Sequence, residues 1–342
     1  MDTKNEIKEH SKLKLEIYNT YLNAYVSIMK IVPYFKEIRI IEPFAGKGKS
    51  DNGEYGSAYI ANEIIRKQGT DNAGVNKFKL LFNDKQFSKE LKDNLAAWDN
   101  MRVWNLDADS FLNEVIKRSS GRNIHSLFFI DPWGYSQIKG STYDKLFQLN
   151  SFEVLVFIPV SLIFRFIRFR ENESQLAPIA TFLFDMGIED ASSCKSIDDF
   201  TDKIVQAFKI KAKTEFVYCK KLKNKHANTQ HSLFFITRNV LGAEKFLEAL
   251  NKSENPDLFE EIDVLNDQRF KKALSGKSLT NTELFKLIIQ HGYLPKNVYP
   301  YLKDLEDNNK LTVEAKDGKK RRKGTYCLED NSKRNLSFIF KK

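Results

Sequence analysis

Between residues 38 and 159, short apolar runs alternate with amphipathic stretches, and this alternation constrains the fold more than any other feature. The runs are Ile38–Glu42, Lys79–Asn83, Arg102–Leu106, Leu127–Asp131 and Glu153–Pro159. Between them lie Ser57–Lys67, Phe87–Trp98, Ser110–Arg118 and Tyr143–Leu149, whose apolar residues recur at helical spacing. The alternation predicts right-handed βαβ units, and so a parallel sheet with helices on both faces. Two later runs, Glu215–Cys219 and Leu233–Thr237, break the rhythm, because Lys220–Gln230 leaves no room for an ordinary helix. A hairpin is expected there, so one strand must run antiparallel.

Two other segments flank this region. Ile7–Ile31 carries Leu15, Ile17, Tyr21, Leu22, Tyr25, Ile28 and Met29 at helical spacing until Pro33 ends the pattern. Composition shifts near Ser253, where NKSENPD reads as a linker. After it, Thr280–His291 is predicted as a helix with Thr280 or Asn281 as N-cap, and a second helix runs from Pro295 to Asp307. LTVEA and GTYCLE then read as two strands around the basic tip AKDGKKRRKG. Helix–turn–helix followed by a β-hairpin is the pattern of a winged helix, with the tip as its wing. The expected organisation is a helical segment over 1–35, an α/β domain over 36–252 and a winged-helix domain over 253–342. For the α/β domain, seven strands with the last antiparallel is the strand count of the Rossmann-like class I methyltransferase sheet, a fold-level analogy.

The chain has 342 residues, enough for about two domains. Its 42% hydrophobic content excludes a disordered chain. Cys194, Cys219 and Cys327 are odd in number and far apart, which argues against a disulfide framework or a cysteine zinc site, and no metal is expected. The polar opening residues do not resemble a signal peptide, and Val154–Phe164 is too short to span a bilayer. A soluble, cytoplasmic protein without a membrane partner is expected. The excess of 55 Lys and Arg over 45 Asp and Glu suits a polyanionic partner, DNA or RNA.

The first run leads into a glycine turn: residues 37–50 read EIRIIEPFAGKGKS. The dinucleotide fingerprint fails here, because Lys49, Ser50 and Asp51 follow Gly46 and Gly48. A P-loop is a closer rival, since Gly48-Lys49-Ser50 is the GKS of a Walker A motif and LFFID ending at Asp131 resembles a Walker B strand. Its first glycine would be Pro43, however, which has no N–H. The helix that should cradle phosphate must also begin at GKS, where Asp51-Asn52-Gly53-Glu54-Tyr55-Gly56 instead breaks a helix. A methyltransferase loop fits better. Glu42 can accept from the cofactor amino group, and Gly46 and Gly48 allow close backbone approach to S-adenosylmethionine. At the next strand ends, Asp84 can take ribose hydroxyls, and Asp107 or Asp109 can face the adenine amino group.

The fourth strand ends Phe129-Ile130-Asp131-Pro132-Trp133-Gly134-Tyr135. An exocyclic base amine is a poor nucleophile, because its lone pair is delocalised into the ring. Asp131 and the Pro132 carbonyl can accept its two hydrogens, and Trp133 or Tyr135 can stack on the extruded base. A plain strand-end Asp-Pro turn with two core aromatics is the bland alternative.

These residues resemble the three-Cys-motif partner (TcmP) family. His10-Ser11, Lys14-Leu15, Ile17 and Tyr21-Leu22 are similar to its opening signature. Glu42-Pro43-Phe44-Ala45-Gly46-Lys47-Gly48 with Gly56-Ser57 resembles its "DPFAGxG … GS" segment, and Phe129–Tyr135 resembles its "DPFGY" segment. Glu153-Val154-Leu155, with Arg165 following, is similar to its fifth strand. Glu42 replaces Asp and Trp133 replaces Phe, both conservative in role. The resemblance implies a class I methyltransferase fold and S-adenosylmethionine held by Glu42, Pro43, Phe44, Ala45, Gly46, Gly48, Gly56 and Ser57. It also implies, as a candidate partner, a radical-enzyme-like protein that carries the three cysteines.

Lys14 lies one helical turn from His10 and is a candidate for the cofactor carboxylate or a phosphate, with a solvated helix face as the alternative. Arg165, Arg168 and Arg170 interleave with Phe164, Phe166 and Phe169, which suits either a nucleic-acid track or an amphipathic helix with Phe inward. Lys319, Lys320, Arg321, Arg322 and Lys323 are the candidate phosphate contacts of the wing. The expected activity is methyl transfer to nucleic acid, at an adenine N6-like amino group. The alternative is a non-catalytic DNA-binding or partner protein that keeps the fold.

Overall fold

The computed structural model describes residues 9–69, 76–95, 99–132, 137–169, 173–223, 230–252, 264, 266–316, 320–330 and 332–341. The chain divides into two compact units, Met1–Arg238 and Asn239–Lys342.

In the first unit the order is α1 (Glu9–Met29), β1 (Glu37–Glu42), α2 (Ser57–Gly69), β2 (Phe78–Asn83), α3 (Ser88–Asn94), β3 (Met101–Trp104), α4 (Ala108–Arg118), β4 (Ile124–Ile130), α5 (Gly140–Phe147) and β5 (Phe152–Ile158). Then follow α6 (Val160–Phe169), α7 (Glu173–Met186), α8 (Ile197–Ala212), β6 (Val217–Lys223) and β7 (Gln230–Thr237). The seven strands lie in the order β3-β2-β1-β4-β5-β7-β6. β1 to β5 pair in parallel, and β7 runs antiparallel to both β5 and β6. The expected α/β architecture with an antiparallel seventh strand is therefore present.

Every residue of β5 is buried, as a central strand with both faces covered requires. Side chains alternate between the faces. Phe128 and Ile130 of β4 join Phe111, Phe147, Phe200 and Phe208 in one apolar cluster. On the other face Phe129 meets Tyr18 of α1, with ring centroids 4.2 Å apart, and Phe235 of β7 meets Tyr21 at 5.1 Å. Thus α1 is not a separate segment but a layer of the first unit, buried through Ile17, Tyr18, Tyr21, Leu22 and Val26. No helix among the described residues is long and apolar enough to cross a membrane.

The second unit comprises α9 (Val240–Lys252), α10 (Gln268–Leu274), β8 (Ser278–Thr280), α11 (Asn281–Gln290), α12 (Pro295–Asp307), β9 (Leu311–Ala315) and β10 (Leu336–Phe340). The expected boundary after residue 252 is corrected: α9 belongs to this unit, where it packs against α11. Thr280 caps α11 by accepting from the Glu283 N–H at 3.2 Å. The small sheet has the order β8-β10-β9, with β10 antiparallel to both neighbours. The expected strand at GTYCLE is also corrected, since the partner of β9 is β10. Cys327 sits at φ +49°, outside strand conformation, and its carbonyl accepts from the Asn281 side chain at 3.0 Å.

Candidate active site

The site is built at the carboxyl ends of β1, β2 and β4. Gly46 and Gly48 adopt φ of +60° and +72°, the left-handed region that strains any residue with a Cβ. The Ala45 N–H donates to the Asn83 carbonyl at 2.9 Å, and the Gly46 N–H donates to Asp84 Oδ2 at 3.0 Å. Asp84 Oδ1 accepts from the Gln86 and Phe87 N–H groups, each at 2.8 Å. The Asn83 amide donates to the carbonyls of Pro43 and Leu106, both at 3.1 Å, so one side chain ties three strand ends together. The Gly56 N–H donates to the Gly48 carbonyl at 2.8 Å, and a Cβ at Gly56 would lie 3.2 Å from that oxygen. α2 begins at Ser57, well after Gly48-Lys49-Ser50, while the Ser50 N–H turns back to the Glu54 carbonyl at 2.9 Å. No helix N-terminus therefore faces a phosphate at GKS, and the P-loop reading is set aside.

Glu42 does not present an oxygen to a ligand. It is fully buried, and it accepts from the Tyr18 hydroxyl at 2.8 Å and the Ser57 hydroxyl at 2.5 Å. Burial pushes its carboxyl up to about 7, and the nearby Asp131 charge adds to the rise, while the two hydroxyls and Lys14 oppose it. The expected contact to the cofactor amino group is thus replaced by a role behind the loop.

Asp131 follows the last residue of β4 and is ion-paired with Lys14. The Lys14 side chain is 6% exposed and that of Asp131 31%. The Lys14 ammonium lies 4.5 Å from the Phe157 ring centroid, and His231 stacks on Phe157 at 5.0 Å with 9° between the planes. Lys14 and Tyr18 are one helical turn apart, so a single face of α1 supplies both. Lys14, expected to meet a cofactor carboxylate or a phosphate, is paired with Asp131. Pro132 is partly exposed, whereas Trp133 and Tyr135 lie outside the described residues.

The other candidates are placed as follows. Asp107 is exposed and caps α4, accepting from the Ser110 N–H at 2.9 Å. Asp109 accepts from the Lys139 N–H at 3.0 Å and the Thr142 hydroxyl at 2.7 Å, so it anchors the start of α5. Arg165 and Arg168 lie on the exposed face of α6, while Phe164 and Phe166 point into the core, as the amphipathic reading expects. Arg170 lies outside the described residues. In the second unit, Lys320 and Arg322 are exposed, and Lys323 pairs with Asp307 at 2.7 Å. Arg321 is not an open phosphate contact: its guanidinium is buried against Glu306 and donates to the Thr325 carbonyl at 3.2 Å. Lys319 lies outside the described residues.

Tyr18, Phe157 and His231 were not foreseen. Tyr18 stands four residues from Lys14 on the helix, a spacing that marks a shared face; Phe157 and His231 carry no comparable signal in the sequence.

No family model and no curated protein matches this chain. Among solved structures, the crystal structure of protein LPL1258 from Legionella pneumophila, described by the family model DUF519, is similar. It shares 14% identity at a TM-score of 0.43, over 73% of this chain and 94% of that one. The functional reading rests on the site itself.

Proposed function

We propose that the first unit is an S-adenosylmethionine-dependent methyltransferase acting on an exocyclic amino group of a nucleic-acid base, and that the second unit is a winged helix that binds the polyanion. One observation carries the reading. From β1 the sheet runs one way through β2 and β3 and the other way through β4 and β5, so the switch point lies between β1 and β4. Ligands of open α/β sheets bind outside the carboxyl ends at such a point. The glycine loop follows β1 and Asp131-Pro132 follows β4, one on each side of it.

The loop fits the cofactor. A Cβ built at Gly46 would meet nothing within 4 Å, so that side of the turn is open for close approach. Gly46, Gly48 and the loop ordered by Asp84 would hold the group, which supplies an electrophilic methyl when bound. Asp131 accepts a hydrogen from the substrate amine and draws electron density onto its nitrogen. The Pro132 carbonyl is placed by sequence to accept the second hydrogen. Positioning provides most of the remaining rate. In the second unit, two helices and a three-stranded sheet in the order β8-α11-α12-β9-β10, with exposed Lys320 and Arg322 after β9, support a winged helix.

Calorimetry with S-adenosylmethionine and S-adenosylhomocysteine tests the reading. Saturable binding that survives Asp131→Ala is expected, and no binding at millimolar cofactor overturns it. Transfer of labelled methyl to DNA or RNA should fall about 10²–10⁴-fold in Asp131→Ala. Undiminished transfer would place the chemistry elsewhere.

A further inference from the structure

We propose that Lys14 and Asp131 together read the edge of the acceptor base, selecting an amine that lies beside an unprotonated ring nitrogen. The inference rests on the methyltransferase reading above and names its substrate class. Lys14 comes from α1 and Asp131 from the end of β4, 117 residues later. An ammonium carries three donors and accepts nothing. Among the described residues its hydrogen-bond partner is Asp131, it also lies over the face of Phe157, and its charge is felt by Glu42. At 6% exposure, water satisfies little of the remainder. A buried cation whose donors are not all used by the described residues is costly unless further acceptors are supplied, as a ligand can. Asp131 is the more open partner at 31%, and a carboxylate has room for several donors.

Side by side, the two groups form an acceptor next to a donor. The complementary edge is an amine next to a lone-pair nitrogen. Adenine presents it as N6 beside N1, and cytosine as N4 beside N3. Guanine places N1–H beside its amine on the pairing edge, which would oppose a donor to the ammonium, and offers a lone-pair nitrogen, N3, only on the sugar side. Uracil and thymine have no amine. Phe157, backed by His231, fixes the height of the ammonium above an apolar floor. Lys14 is therefore a specificity-determining residue rather than a tether for the cofactor.

The test is a cycle between residue and substrate atom. Methyl transfer is measured on DNA and RNA oligonucleotides that carry adenosine or 1-deazaadenosine, and cytidine or 3-deazacytidine, with wild type, Lys14→Met and Lys14→Arg. Wild type should lose about tenfold to a hundredfold in kcat/KM on the deaza form of its base, the cost of one charge-assisted hydrogen bond. Lys14→Met should lose a similar factor on the parent base and nothing further on the deaza form, while Lys14→Arg keeps the discrimination. A change in intrinsic amine reactivity affects both proteins alike and cancels in the cycle. Equal discrimination by wild type and Lys14→Met overturns the inference, as does a Lys14→Met defect confined to cofactor affinity by calorimetry. Where Lys14→Met does not fold, wild-type affinity for the parent and deaza oligonucleotides, which amine reactivity does not enter, takes the place of the cycle, and equal affinity overturns the inference. If wild type binds the cofactor and methylates no nucleic acid, the underlying functional reading fails as well.

Discussion

Two carboxylates are buried beneath α1. Glu42, the last residue of β1, takes the Tyr18 hydroxyl, and Glu153, the second residue of β5, takes that of Tyr21. Burial pushes each up to about 7. What else acts on them differs. Glu42 feels the charges of Asp131 and Lys14, while the Thr237 hydroxyl also acts on Glu153. The same helix and the same chemistry thus make a strut in one place and, in the other, the support of the candidate site. Burial sets the titration, and position decides whether anything downstream registers it.

The largest expected effect tests what the two share. Each glutamate stays protonated in the folded chain up to about pH 7, while an unfolded glutamate ionises near 4.5. Between these values the unfolded chain releases a proton that the folded chain keeps, so stability falls as pH rises through this window. The full extent is about 3 kcal/mol per group. Denaturant unfolding should find Glu153→Gln more stable than wild type by up to that amount at pH 8 and equal to it at pH 4. A constant difference across pH would refute the shared account.

The next effect separates the two. Glu42→Gln should remove a step near pH 7 from the pH profile of methyl transfer and change the rate by about tenfold across it. Glu153→Gln should leave that profile intact. Smaller still, Tyr18→Phe and Tyr21→Phe should each cost about 1 kcal/mol in thermal unfolding, with cofactor affinity changed only by Tyr18→Phe. The smallest effect is reciprocal. Asp131→Asn removes a negative charge from beside Glu42 and should lower its midpoint by roughly a unit or less, read by carboxyl NMR, while the Glu153 midpoint stays fixed.

The inner strands of the first unit were legible because burial on both faces leaves dense apolar runs. Ile38–Glu42 and Lys79–Asn83 each fall within one residue of the observed β1 and β2. The three helices α6 to α8 were less so, although Gly187, at φ +73°, ends α7 and the capping box of Ser196 and Asp199 opens α8. GTYCLE misled because its alternating apolar residues mimic a strand. The structure spends them otherwise: Tyr326 is buried and donates to Glu306 at 3.1 Å, while the true partner strand lies further on at Leu336–Phe340. In the site, Asp131 and the glycine loop were visible as local motifs. The ion pair of Lys14 and the burial of Glu42 were not, because both depend on contacts across many residues. Arg321 shows the same limit: in a run of five basic residues, only the fold reveals that one is committed to Glu306.

The placement of α1 also sets an order of events. Its polar contacts reach Glu42, Asp131 and Glu153, which are 24, 117 and 132 residues further along the chain. During synthesis the helix exists long before the strands that cover its apolar face. Closing such long loops is slow, and helix formation is fast. The helix must therefore wait, amphipathic and exposed, until β5 and β7 arrive, and the candidate site closes only then. Conditions that delay the later strands should leave this segment as the part of the nascent chain most open to chaperones and proteases.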